Sequence, residues 1–482
     1  MLLLRFYDEG LAQASYLIGC QTTGEALIVD PNRDIEQYIA AAEAEGLRIA
    51  HVTETHIHAD FVSGGRELAQ RTGATLYLSD EGAPDWRYAY AAQARAVLLE
   101  DGARFQVGRV AIETLHTPGH TPEHLVFLVT DTPAASEPLG VLSGDFVFVG
   151  DVGRPDLLER AANIRGTMET GARQLFRSLQ RFKQFPDYLQ IWPGHGAGSA
   201  CGKALGAMPQ STVGYERIAN WAFGIVDEDA FVTAVLEGQP EPPRYFAEMK
   251  RINKEGPRLL GGLGRPGRLP ASRVSDLLAK GGLVVDTRPA TDFAAAHIPG
   301  TINIPLNRAF TGWAGWLIPY DRDFYLLIDR AREDAVKTAA RDLAMIGLDR
   351  LAGYLDCDEE MLETWRASGG TLESTPQMTV AQLRERQATG DVTVIDVRGR
   401  SEWEAGHLPG VANIPLGLLP DRLAELPERG TIVLQCETGS RSAIAASVLA
   451  ARGRGTVANL EGGFTAWRKA GYPVARESPV AV

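Results

Sequence analysis

One segment of this chain is written twice. Val284-Val285-Asp286-Thr287-Arg288, followed by His297-Ile298-Pro299-Gly300 and Asn303-Ile304-Pro305, returns as Val394-Ile395-Asp396-Val397-Arg398, His407-Leu408-Pro409-Gly410 and Asn413-Ile414-Pro415. The offset is 110 residues both from Asp286 to Asp396 and from His297 to His407. A period this long, present in two copies, reads as duplicated domains and not as a solenoid. Each copy begins on an apolar run and ends in a helix-like pattern with a tryptophan, Trp365 in one and Trp467 in the other. Before them, Lys254 to Pro270 is dense in glycine and proline and reads as a linker. The remaining block, about half of the 482 residues, alternates strand-like runs (Ala26–Asp30, Thr75–Leu78, Leu125–Val129) with helical patterns (Ile35–Ala44, Gly64–Arg71). That order predicts sheets covered by helices. The expected division is 1–255, a linker over 256–270, then 271–372 and 373–482.

Bulk composition narrows the partners. A formal charge of −13 argues against nucleic acid, which wants clustered lysine and arginine. The apolar runs are far shorter than the ~20 residues a membrane helix needs. Met1-Leu2-Leu3-Leu4 is followed at once by Arg5, Asp8 and Glu9, so no signal-peptide core forms. The expected location is the cytoplasm, with no membrane partner, and the expected assembly is a homo-oligomer. The four cysteines, Cys20, Cys201, Cys357 and Cys436, have no paired spacing and read as reduced thiols.

The N-terminal block holds seven of nine histidines: His51, His56, His58, His116, His120, His124 and His195. Thr55-His56-Ile57-His58-Ala59-Asp60, Thr117-Pro118-Gly119-His120, Ser143-Gly144-Asp145 and Trp192-Pro193-Gly194-His195 each follow an apolar run. Turn residues beside each polar group let loops at one sheet edge converge on one ion. His51, His116 and His124 stand outside this pattern and read as core or surface residues.

These four segments resemble the metallo-β-lactamase superfamily, and their order matches over the whole block. The resemblance implies an αββα sandwich. That superfamily's usual pattern places a histidine after the Asp60 position as a ligand of a second metal; here it is Phe61. A second site keeping Asp60, His195 and a bridging Asp145 is thin, so one metal is expected. Within the superfamily, the resemblance to persulfide dioxygenases implies a single Fe(II) per chain on His56, His120 and Asp145. Two imidazoles and one carboxylate with open positions suit Fe(II) and dioxygen chemistry. His58, Asp60 and His195 would then orient ligands or substrate, with His195 as a direct ligand left open. Gly153-Arg154-Pro155-Asp156 matches the same branch, which implies that Arg154 and Asp156 lie at the iron pocket, Arg154 suiting a persulfide or a glutathione carboxylate.

In the second copy, the apolar strand Thr431–Gln435 runs into Cys436-Glu437-Thr438-Gly439-Ser440-Arg441. A cysteine at a strand end, before a short loop and a helix, suits a reactive thiolate: loop N–H groups, the helix N-terminus and an arginine all favour the anion. The duplicated units resemble rhodanese domains, which are α/β with a parallel sheet. That implies sulfur transfer through Cys436, with Glu437, Thr438, Gly439, Ser440 and Arg441 around the anionic substrate. A phosphatase loop of this shape needs one more residue before its arginine. In the first copy the matching strand Phe324–Ile328 runs into Asp329-Arg330-Ala331-Arg332, which offers no nucleophilic sulfur; that copy is expected to be catalytically silent.

The whole order resembles the multidomain persulfide dioxygenase–sulfurtransferases of the CstB type. This implies oxidation of a low-molecular-weight thiol persulfide (glutathione, coenzyme A or similar) by O₂ to sulfite, and use of Cys436-bound sulfur to give thiosulfate. Cys201, in Gly198-Ser199-Ala200-Cys201-Gly202-Lys203, matches a run that carries sulfur near the iron in that group, and stands evenly against a buried, inert thiol. The rival expectation is a glyoxalase II-type hydroxyacyl-thioester hydrolase with zinc, fused to a rhodanese; Phe61 counts against it.

Overall fold

The computed structural model describes residues 1–160, 166–203, 205–239, 241–330, 332 and 334–476. Ala331 of the first copy's loop and residues 477–482 of the last expected domain lie outside them. Two compact units make up the chain: Met1–Gly264 together with Ala344–Gly347, and the remainder.

The first unit holds two six-stranded sheets. In spatial order the first runs Leu2–Asp8, Gln13–Cys20, Glu25–Val29, Arg48–Thr53, Thr75–Ser79 and Val97–Leu99. The second runs Ser211–Thr212, Gln190–Pro193, Gly140–Gly144, Leu125–Asp131, Val110–His116 and Arg104–Val107. The period of two along each strand sends alternate side chains to opposite faces. Along Leu125–Asp131, Leu125, Phe127 and Val129 enter a core shared with Tyr16, Ile18, Leu27 and Val29 of the first sheet. Val126 and Leu128 point the other way, onto Leu175, Leu179 and Phe182. Those three belong to helix Thr167–Phe182, whose buried residues recur every three or four positions. Leu17 and Ile28 likewise leave the inter-sheet core to pack on Tyr38 and Leu68 of helices Glu36–Ala44 and Gly65–Thr72. The result is helix, sheet, sheet, helix, the layering expected from the sequence. Each fully buried phenylalanine, such as Phe127, contributes about 1.5–3 kcal/mol.

The second unit carries two parallel sheets. One has the order Ile302–Asn303, Leu283–Asp286, Phe324–Ile328, Leu351–Asp356; the other Gln377–Met378, Thr456–Leu460, Thr431–Gln435, Val392–Asp396, Ala412–Asn413. The repeated residues do one job twice. Arg288 forks onto Asp286 with its Nη2 at 2.7 Å, and Arg398 onto Asp396 at 2.8 Å, all four side chains buried. His297 stacks on Phe293 and His407 on Trp403, both at 3.9 Å. Asn303 donates to the carbonyls of Asp286 and Arg288, and Asn413 to those of Asp396 and Arg398. These groups are scaffolding, as their presence in both copies predicts. The copies also touch. The Asn303 N–H donates to Ser447 Oγ (2.8 Å) on helix Ser440–Ala451, and Trp313 and Leu317 pack on the core that holds Cys436. Among the described residues no helix is long and apolar enough to cross a membrane.

Candidate metal centre and cysteine loop

His56, His120, Asp145 and His195 each sit one to four residues past the C-terminal end of a strand, after Thr53, His116, Gly144 and Pro193 respectively. Strands run straight but ligands must converge, so the turns between need unusual backbone. Gly144 has φ +50°, and a Cβ there would stand 2.5 Å from Thr55 Oγ1. Only glycine lets Asp145 close on the His56 loop.

The convergence is complete for one triad. Ligand atoms of His56, His120 and Asp145 lie within 4.8 Å of one another, and all three side chains are buried. Asp145 Oδ2 is 3.6 Å from His120 Nε2 and 3.9 Å from His56 Nε2. The outward nitrogen of each imidazole is committed elsewhere. His120 Nδ1 meets the Arg154 carbonyl at 3.0 Å; a carbonyl only accepts, so the hydrogen is on Nδ1 and the lone pair on Nε2. Thr55 Oγ1 gives its one hydrogen to Asp30 Oδ2 (2.9 Å) and accepts from His56 Nδ1–H (2.9 Å). Both Nε2 lone pairs are thereby presented to the gap.

His56 Nε2 and both oxygens of Asp145 are buried with no hydrogen-bond partner. A carboxylate stranded this way costs several kcal/mol, and a cation in the gap offsets that cost. Burial, then the neighbouring histidines, holds His56 well below the ordinary imidazole range. Burial, then the Lys250 charge, brings His120 down to about 3. Both are therefore neutral and able to ligate at neutral pH. Burial pushes Asp145 up to about 6, against the opposing pull of His195. The residues fit a divalent metal.

The neighbours expected to orient this triad surround it. His58 Nε2 is 3.1 Å from Asp30 Oδ1, while its ring stands 4.2 Å from that of His56. Burial opposes the His58 charge, but the Asp30 carboxylate outweighs it and raises the ring to about 9. Phe61 is fully buried with its ring 4.4 Å from that of His58. His195 donates from Nδ1 to the Ala12 carbonyl (3.0 Å) and turns Nε2 toward Asp60 Oδ2 (3.2 Å) and Asp145 Oδ1 (3.5 Å). Asp60, His195 and Cys201 form a second buried group, again within 4.8 Å. The other histidines are occupied: His124 bridges Thr117 Oγ1 and the Asp145 N–H, His116 donates to the Pro122 carbonyl, and His51 meets the Tyr77 hydroxyl.

Two arginines expected at the sites stand in ion pairs. Arg154 is one of them. Its guanidinium is fully buried in a two-pronged pair with Asp156 (2.8 and 2.7 Å) and donates to the Ala200 carbonyl. Burying an arginine requires such a partner, so Arg154 and Asp156 hold the Cys201 loop and the His120 backbone contact. Arg441 likewise forks onto Glu402 (2.6 and 2.7 Å), 39 residues away.

The Cys436 loop itself is as compact as a thiolate site requires. The Gly439 N–H points at Sγ (3.2 Å), Ser442 Oγ stands at 3.4 Å, and the side chain is fully buried. Gly439, with φ +100°, starts helix Ser440–Ala451 there. Glu437 pairs with Arg398 (3.1 Å), Arg468 (2.7 Å) and Thr465. Thr438 and Ser440 are exposed and share a hydroxyl contact. In the first copy, Asp329 follows the matching strand, and Cys357 is buried, with burial pushing its thiol well up. Sequence reasoning missed Asp30, Glu402 and Asn253. Asn253 donates to the carbonyls of His58 and Phe61 and accepts from the Ser63 N–H. Nothing local marks these residues, since their partners are remote in the chain.

Known proteins share both halves. The metallo-beta-lactamase superfamily model matches residues 8–195, and the rhodanese-like domain model matches 270–355 and 379–470. The crystal structure of a metallo-beta-lactamase from Staphylococcus aureus subsp. aureus COL is 44% identical, with a TM-score of 0.66, over 74% of this chain and 98% of that one. A beta-lactamase hydrolase-like protein of Xylella fastidiosa (strain 9a5c) is 28% identical over 53% of this chain, which spans only 60% of that relative's length. The mitochondrial persulfide dioxygenase ETHE1 of Bos taurus is 28% identical over 40% of this chain and 68% of that protein. With the two-histidine, one-aspartate site and these matches in hand, the chain belongs to the metallo-β-lactamase superfamily, its lactamase-type domain being followed by two rhodanese-like domains.

Proposed function

We propose that this chain is a persulfide dioxygenase coupled to a sulfurtransferase, of the CstB type. The observation that carries the reading is the His56–His120–Asp145 triad, two neutral imidazoles and a carboxylate, in the same chain as a buried, N–H-lined cysteine. When bound, Fe(II) supplies the redox chemistry that joins dioxygen to the outer sulfur of a thiol persulfide. The protein holds the ligands: Thr55 and the Arg154 carbonyl fix the tautomers, and buried walls such as Phe61 exclude water. One persulfide, one dioxygen and one water give one thiol and one sulfurous acid.

The cysteine loop supplies the second step. Cys436 thiolate attacks the outer sulfur of a second persulfide; a Cys436 S–S bond forms, the donor's S–S bond breaks, and the donor thiolate leaves. Sulfite then attacks that outer sulfur, thiosulfate leaves, and the Cys436 thiolate is restored, steadied by the Gly439 N–H and Ser442 Oγ. Placing both steps in one chain raises the effective concentration of sulfite at the loop.

The test uses full-length protein loaded anaerobically with iron and given glutathione persulfide. Wild type should consume dioxygen and form thiosulfate; Asp145→Ala should consume none; Cys436→Ser should consume dioxygen yet accumulate sulfite. Thiosulfate output unchanged in Cys436→Ser refutes the relay. A thioester hydrolase with two zinc ions is the second reading, favoured by the Asp60–His195 pair facing the free Asp145 Oδ1. Hydroxyacylglutathione turnover that needs zinc and no air would establish that reading instead.

A further inference from the structure

We propose that Lys250 is the residue by which the metal pocket recognises the anionic group of the thiol carrier, a carboxylate or a phosphate. This assignment rests on the function proposed above and narrows its substrate to a thiol persulfide with a negative charge away from the sulfur.

Helix Tyr245–Glu255 lies across the metal pocket, and three of its residues mark the crossing. Asn253 donates to the His58 and Phe61 carbonyls, which ties the helix to the loop beside His56. Tyr245 is buried where Asp60 and Cys201 act on its hydroxyl. Lys250 stands where its charge acts on His120. Two polar side-chain tips of one helix thus flank the triad.

The surroundings of Lys250 are built from three elements. Its ammonium rests on the Trp86 ring, 4.3 Å from the ring centre. Trp86 in turn stands beside the His120 loop: a Cβ on Gly82 would sit 3.1 Å from the Trp86 Cβ and 3.4 Å from that of Glu123. The Ala89 N–H donates to the Lys254 carbonyl (2.9 Å), which closes the tryptophan's loop onto the helix. Aromatic shelf, helix and ligand loop therefore wall in one ammonium.

What that ammonium lacks is an anion. Among the described residues Lys250 makes no ion pair and no hydrogen bond, only the contact with Trp86. Arg154, by contrast, already holds Asp156. Glu123 acts on Lys250 from beyond ion-pair distance and spends its Oε1 on the Ile57 N–H (2.8 Å). Burial brings Lys250 down to about 8 with Glu123 opposing, so the side chain is half-buried yet charged at neutral pH. A contact with a ring face leaves the three N–H donors of a lysine unspent. Such donors make their strongest hydrogen bonds to carboxylate or phosphate oxygens.

Matched carriers test this in the iron-loaded full-length chain, read by dioxygen uptake. Glutathione persulfide against its diethyl ester masks the carboxylates; coenzyme A persulfide against pantetheine persulfide removes the phosphates. In one of the two pairs wild type should prefer the charged member by about 10- to 100-fold in kcat/KM, and that pair names the anion. Lys250→Met should lose the preference, and Lys250→Arg, which keeps the charge, should retain it. A residue that merely steadied the helix would lower both members of a pair alike. Equal values within both pairs in wild type overturn the proposal without any variant, and so does a preference that survives Lys250→Met. Should wild type take up no dioxygen with any of the four, the function proposed above fails. The carrier site is then read by calorimetry on the zinc-loaded full-length chain, with glutathione, its diethyl ester, coenzyme A and pantetheine as probes. The same preference in affinity, lost in Lys250→Met, supports the site; its absence overturns it.

Discussion

Thr55→Val is the sharpest probe of how the fold prepares its metal centre. The two side chains share a shape, so packing beside Gly144 is kept while the hydroxyl is lost. In the wild-type chain that hydroxyl donates to Asp30 and accepts from His56, each at 2.9 Å in a fully buried setting. Asp30 keeps other partners, the Thr55 N–H at 2.6 Å and His58. His56 Nδ1–H has no replacement acceptor, and a buried donor left alone costs about 1–3 kcal/mol. Alternatively His56 moves its hydrogen to Nε2 and ceases to be a ligand. Removing a partner that orients a metal-bound histidine lowers affinity by about 10- to 100-fold, or about 1.4–2.8 kcal/mol, so the two routes agree. We expect metal bound to the triad to weaken ~30-fold, read by competition against a chromophoric chelator. Thr55→Ser should stay within about twofold of wild type, since it keeps the hydroxyl. A Thr55→Val protein that holds metal as tightly as wild type would refute the hydroxyl's role in setting the tautomer.

Three other outcomes follow from the same structure. Asn253→Ala strips three hydrogen bonds from the loop between His58 and Ser63 and should destabilise the chain by about 2–4 kcal/mol, measured by thermal unfolding. Gly463→Ala puts a Cβ against the Cys436 carbonyl at a backbone φ of +54°; thiosulfate formation from sulfite should fall about 100-fold with dioxygen uptake unchanged. Glu402 is held below the ordinary carboxylate range because its bonds to Arg441 outweigh burial. A lowered folded value means its stabilisation is present above the unfolded value of 4.5 and is lost as pH falls further. The melting-temperature gap between wild type and Glu402→Gln should therefore be open at neutral pH and close as the pH drops below 4.5. The stability difference behind that gap should stay under about 1 kcal/mol, because the side chain is 41% exposed.

Patterns local to the chain are legible in the amino-acid order alone. The apolar run Leu125–Val129 requires a strand buried on both faces, and the fold fills both faces. The Asp-x-Arg and His-x-Pro-Gly repeats read as scaffolding because they persist where the cysteine does not. His56, His120 and Asp145 are visible because each sits beside a turn at a strand end. What stays hidden is partnership across long separations. Arg154 and Arg441 look like open charges in a sequence, but the buried guanidinium of Arg154 is paired by Asp156 and the half-buried one of Arg441 by Glu402. Cys201 meeting Asp60 depends on three loops closing at one point, which no spacing encodes. Phe61, next to Asp60 in the chain, shows only that one histidine is missing, not that a thiol lies nearby.

The bond from Asn303 to Ser447 bears on why a copy without the loop cysteine persists at all. Helix Ser440–Ala451 begins at the Cys436 loop, so any tilt of its axis would swing the Gly439 amide off the sulfur. The first copy lays its sheet edge against that helix, and Trp313 and Leu317 against the core the helix helps to build. Its position is that of a splint: a copy whose matching strand runs into Asp329 braces the helix that starts beside its twin's thiol, and excising it should leave that helix on a lever with nothing to steady it.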